Sequence, residues 1–108
     1  TGVQTCALPI LMVEDFDLGW SVEFVEHVEE QFVDNYFTVL CACRYVFLTH
    51  STNPGGHHHV NCQPASYWID QFSRHRFRYH AEETQCVRRQ STMKREFVQQ
   101  SGMLFQRA

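Results

Sequence analysis

Three consecutive histidines, His57, His58 and His59, follow the turn Pro54-Gly55-Gly56 and precede Val60-Asn61. An imidazole changes charge near neutral pH, so a loop histidine suits proton transfer or metal ligation. Side chains of successive residues diverge in regular backbone, so the three cannot all converge on one ion. One of them with Cys62 could begin a zinc site, and Cys41-Ala42-Cys43 could add thiolates. Structural zinc pairs, however, are spaced by two to four residues, not one. No metal site is expected on this basis. His59 is the first choice for a general base, with Asn61 orienting polar groups. The plainer alternative is a solvated loop whose histidines do no chemistry.

A second group of polar residues closes the apolar run "FDLGWSVEF" and continues into Glu26-His27. In open α/β sheets, ligands bind at the carboxyl ends of strands. That rule places Ser21, Val22 and Glu23 along a cofactor or substrate pocket, with His27 close by. Alternatively, Glu26 and His27 are the solvated start of a helix, where carboxylates favour the positive end of the dipole. Tyr67 and Trp68 could wall a cationic ligand or anchor a helix in the core. Arg88, Arg89, Lys94 and Arg95 read as a solvated helix face, too sparse for a nucleic-acid footprint.

The elements that must position these residues alternate in type. Phe16–Phe24 is strand-prone, and Arg44–His50 reads as a strand buried on both faces, as in parallel α/β sheets. Between them Val28, Phe32, Tyr36 and Leu40 recur every four residues, which predicts a helical stripe over about Glu29–Cys41. Residues 51–61 form the longest loop. A helix follows Pro64, with Tyr67 or Trp68, Phe72 and His75 inward. Phe77–His80 is a weak strand, Glu83–Ser101 a helix ended by Gly102, and Met103–Arg107 a closing strand. The order predicts an α/β architecture with at least one parallel crossover.

A hydrophobic content of 44% with 14% aromatics is that of a globular chain, not a disordered one. The 108 residues suffice for one small domain. No apolar run approaches the roughly 20 residues of a bilayer span. With no signal-peptide pattern at the start, the chain reads as cytoplasmic, and Cys41, Cys43, Cys62 and Cys86 as reduced thiols. The net charge of −3 hides an asymmetry: eight acidic and no Lys or Arg residues from Leu11 to Asp34, then a predominantly basic Arg74–Arg107. Residues 1–10 stand apart. Gly2 to Ile10 back-translates as GGA GTT CAG ACG TGT GCT CTT CCG ATC, which resembles a sequencing-library adapter read in frame. Residues 1–10 are therefore set aside, and the domain is expected over residues 11–108.

The blocks "DLGWSVEFVEHVEE" and "RYVFLTHSTNPGGHHHVNCQPASYWID" resemble class I S-adenosylmethionine-dependent methyltransferases. In that family an acidic residue at the end of the fourth strand is followed by Glu-His, here Glu23 and Glu26-His27. Many small bacterial members continue with a fifth strand ending in Thr, a Pro-Gly-Gly loop, His-Val-Asn and a Tyr-Trp pair. Here these are Thr49, Pro54-Gly55-Gly56, His59-Val60-Asn61 and Tyr67-Trp68. The resemblance covers Asp15 to Arg107, the C-terminal half of such a domain. It implies a partial Rossmann-like sheet whose antiparallel ending is Phe77–His80 and Met103–Arg107. It also implies S-adenosyl-L-methionine near Ser21, Val22, Glu23 and His27, and methyl transfer to a small-molecule or sugar-like acceptor beside His59 and Asn61. The family's Gly-rich turn, which only a bare backbone can form against the ligand, has no counterpart here, nor does its ribose-binding acidic residue. The expectation is a C-terminal half whose N-terminal half is missing, inactive by itself. The rival reading is a small non-enzymatic metal- or partner-binding α/β module.

Overall fold

The computed structural model describes residues 15–108; the adapter-like stretch 1–10 lies outside them. Four strands form one mixed sheet: β1 (Phe16–Ser21), β2 (Cys43–Leu48), β3 (Phe77–Tyr79) and β4 (Met103–Arg107), in the order β1-β2-β4-β3. β1 runs parallel to β2, with Gly19 opposite Val46 and Ser21 opposite Leu48. β4 is antiparallel to both its neighbours, β2 and β3. The α/β architecture, the parallel crossover and the antiparallel ending are those expected.

Alternation along the strands sorts the core into two faces. Val46 pairs with Phe105 and Leu48 with Met103, and these four are fully buried on one face. Helices α1 (Val33–Leu40) and α2 (Ala65–Arg74) add Phe37, Trp68 and Phe72 to the same cluster. Phe72 stacks on Phe105 with ring centroids 3.9 Å apart. Phe47 points to the opposite face, where Trp20 stacks on it at 5.1 Å. Helix α4 (Phe97–Ser101) approaches there, so closely that a Cβ on Gly102 would strike the Phe47 ring. Helix α3 (Ala81–Gln90) packs on β4 and α4 and ties Thr84 Oγ1 to the Leu104 N–H at 2.9 Å.

The structure departs from the sequence reading in three places. The helix expected over Glu29–Cys41 starts only at Val33, after 3-10 turns at Val25–His27 and Glu30–Phe32. Its buried positions are Val33 and Phe37, while Phe32 is 45% exposed. Val28 sits in extended backbone before the helix, so it shares no helical stripe with Phe32, Tyr36 and Leu40. The long C-terminal helix is two helices, broken after Gln90 where Ser91 turns extended. The Ser91 hydroxyl accepts the Met93 N–H and Gln99 Nε2 donates to the Ser91 and Met93 carbonyls. Such local side-chain bonds compete with the helix ladder. Finally, Cys43, Cys62 and Cys86 are free thiols, whereas Cys41 is disulfide-bonded.

Candidate functional site

β1 and β2 are parallel, so their carboxyl ends finish side by side, and the polar residues gather at that edge. The chain leaves β1 through Glu23, whose φ of 58° is left-handed and unfavourable for a residue with a Cβ. The conformation is held from the neighbouring strand: the Glu23 N–H donates to the buried hydroxyl of Thr49 at 2.9 Å. The 3-10 turn that follows then brings Glu26 and His27 back over the edge. Its geometry is fixed by the histidine loop, since the Val60 and Asn61 N–H groups both donate to the Glu26 carbonyl, at 2.9 and 3.1 Å.

Asn53 organises that loop. Its side-chain oxygen accepts the Gly55 N–H at 2.9 Å, and its carbonyl accepts His59 Nδ1 at 2.6 Å. Across the gap, His27 Nδ1 donates to the carbonyl of His58 at 3.0 Å, and His58 is itself left-handed, with φ 55°. A carbonyl oxygen only accepts, so both Nδ1 atoms carry a proton, and in a neutral imidazole Nε2 is then the atom with the lone pair. The two rings meet edge to face, with centroids 4.9 Å apart.

Glu23, Glu26, His27 and His59 thus converge, with one potential ligand atom from each lying within 4.8 Å of the others. Glu26 is completely buried, and neither carboxylate oxygen has a hydrogen-bond partner among the described residues. His27 Nε2 stands 3.6 Å from one of them. Burial, reinforced by the facing Glu23, pushes the Glu26 carboxyl above its ordinary range. The cluster opens into a cavity of about 440 Å³ lined by Glu23, His59, His50, Asn53 and Ser101, among others.

The sequence-derived site residues therefore divide. Glu23, His27 and His59 come together. Ser21 and Val22 do not join them; they line a separate recess of about 390 Å³ with Phe24, Tyr36 and Leu40. Asn61 is buried behind the site, its Oδ1 accepting from Gln63 Nε2 at 2.9 Å, and it is not part of the cavity wall. His57 and His58 are exposed and pack on each other. Trp68 is fully buried, an anchor, while the Tyr67 hydroxyl donates to Glu30 and, mainly through burial, has its pKa pushed up to about 12. Sequence reasoning missed Asn53, although Asn-Pro is a turn-opening signal, and it did not place Glu26 among the site residues.

No family model matches this chain, and neither the curated proteins nor the solved structures include a match. The fold and site define a compact α/β domain with a four-stranded mixed sheet. No helix among the described residues is long and apolar enough to cross a membrane.

Proposed function

We propose that this chain supplies the acceptor-side half of an S-adenosylmethionine-dependent methyltransferase. The observation that carries this reading is the sheet: β1, β2 and β3 share one direction, and β4 alone is inserted antiparallel between β2 and β3. A Rossmann-like methyltransferase sheet would end in this way. The polar residues of the sequence resemblance also stand at the carboxyl ends of β1 and β2, where such sheets bind ligands.

The cofactor brings an activated sulfonium methyl group, and transfer asks the protein mainly for proximity and in-line alignment. The recess beside β1 fits a part of such a ligand. Its floor is apolar, and Ser21 Oγ is buried there without a hydrogen-bond partner among the described residues. Ser21 and Val22 are the residues that would hold it. The cavity on the other side of Glu23 would take the acceptor, a small polar molecule. His59, with its Nδ1 proton committed to Asn53, offers Nε2 as the base for an acceptor hydroxyl or amine.

The test is calorimetric titration of S-adenosylmethionine into the complete domain that this reading proposes, followed by transfer of a labelled methyl group. Saturable binding is expected, and no heat would overturn the reading. The metal-compatible cluster favours one alternative, a non-enzymatic metal module. In that case purified protein would carry stoichiometric metal and would unfold when chelated.

A further inference from the structure

We propose that Glu23, Glu26, His27 and His59 form a binding site for one divalent transition-metal ion, of the manganese, iron, cobalt or zinc class. The inference stands on these four side chains and does not require the methyl-transfer reading.

The first ground is the buried carboxylate. A fully buried glutamate whose oxygens have no hydrogen-bond partner among the described residues is costly as an anion, because burial removes its water and only His27 Nε2, 3.6 Å away, stands in its place. Glu23 faces it and adds repulsion. Among the described residues no lysine or arginine forms an ion pair with either carboxylate. A dication placed between them would neutralise both.

The second ground is the tautomers. Metal-ligating histidines characteristically donate the other ring N–H to a carbonyl or carboxylate, which fixes the ring and raises its basicity. Both histidines here do so, His27 to His58 and His59 to Asn53. The second ring nitrogen, Nε2, is the one each histidine keeps for a ligand, and His27 Nε2 already stands 3.6 Å from Glu26.

Distance and donor type set the ligand. The four atoms lie within 4.8 Å of one another, whereas opposite ligands of a six-coordinate ion with bonds of about 2.1 Å stand about 4.2 Å apart. At the widest pair closure needs about 0.6 Å for a six-coordinate ion and about 1.4 Å for tetrahedral zinc, whose ligand atoms stand about 3.4 Å apart. Two imidazoles with two carboxylates suit borderline ions, whereas calcium and magnesium prefer all-oxygen shells. Because the cluster opens into the cavity that Asn53, His50 and Ser101 also line, an ion held here would present its remaining positions to whatever polar molecule enters. In the ion-bound chain His59 is a ligand, and the role of base applies only to the ion-free chain.

The experiment is titration of Zn2+ or Mn2+ alone into the metal-stripped chain, read by calorimetry and, for Mn2+, by the loss of the free-ion electron paramagnetic resonance signal. One equivalent is expected to bind. Glu26→Gln and His59→Asn should each weaken binding at least tenfold, while His57→Gln, outside the cluster, should leave it unchanged. Glu23→Gln and His27→Asn, at more exposed positions, serve if the first two variants misfold, which circular dichroism would show. Absence of saturable binding to the natural chain overturns the proposal. So does equal binding by the cluster variants, or equal loss in His57→Gln. No S-adenosylmethionine is present, so failure here leaves the methyl-transfer reading standing, and the converse also holds.

Discussion

The imidazole of His59 lies directly over the α-carbon of Gly56, so that a β-carbon on Gly56 would fall on the ring. The His59 N–H also donates to the Gly56 carbonyl at 3.2 Å, which closes the turn, while the ring bonds the Asn53 carbonyl through Nδ1 at 2.6 Å. Glycine is needed here for close approach rather than for an unusual dihedral. Gly56→Ala should therefore push His59 out of the cluster and weaken Zn2+ binding at least tenfold. The loop is largely exposed, so stability should change by less than about 0.5 kcal/mol. Calorimetric titration beside thermal denaturation separates the two effects.

Glu26 is the one member of the cluster whose presence should cost the metal-free fold something. Removing a buried charge while keeping the side-chain volume relieves desolvation and the repulsion from Glu23. Glu26→Gln should stabilise the metal-stripped chain by about 1 kcal/mol at neutral pH. The same substitution should remove the stabilisation that Zn2+ gives the natural chain. Denaturant melts with and without Zn2+ read both signs, and a glutamate kept for structure alone would show neither.

His50 gives a pH dependence of known sign. Burial first, and then the Arg88 charge, hold its pKa below the ordinary 6.5, against the opposing hydrogen bond from Nδ1 to the Gln63 carbonyl. Between the lowered folded value and 6.5 the unfolded chain binds a proton that the folded chain refuses. This contribution is thus complete above 6.5 and is lost as pH falls through that window. Its slope is at most about 1.4 kcal/mol per pH unit, that of a single proton. Urea melts from pH 7.5 to 5 should show a shallower decline for His50→Gln than for the natural chain; parallel declines would refute the assignment.

Much of this arrangement can be read from the sequence, and the rest resists for physical reasons. "RYVFLT" announces a strand buried on both faces, and Trp68, Phe72 and His75 show the inner side of α2 by their spacing. The stripe Val28, Phe32, Tyr36, Leu40 misleads because period alone cannot say where a helix starts. Shifting the start to Val33 moves the buried set to Val33 and Phe37. The site was half legible. Glu23 and His27 lie at a strand end, and His59 in a loop rich in turn residues. Their convergence depends on two left-handed residues, Glu23 and His58, and on main-chain bonds from Val60 and Asn61 to Glu26. Neither type of local signal is written in side-chain chemistry.

β1 is at the sheet edge, with β2 as its only strand partner among the described residues, yet it is not built like an edge. Natural edge strands carry lysine, proline or bulges that discourage pairing with another chain. Here Phe16, Leu18 and Trp20 alternate along β1 at 43%, 53% and 58% exposure and form a row on one face. If this edge normally pairs with further strands, as the methyltransferase reading requires, the isolated chain should self-associate through it. Leu18→Lys places a charge in the middle of the row, away from the Trp20–Phe47 stack. Since burying one leucine side chain contributes about 1.5–3 kcal/mol, the substitution should weaken association about tenfold or more, with little change in the melt of the monomer. Sedimentation velocity over a hundredfold concentration range measures this directly. A natural chain that stays monomeric throughout would mean that the row is tolerated in water and that β1 needs no neighbour.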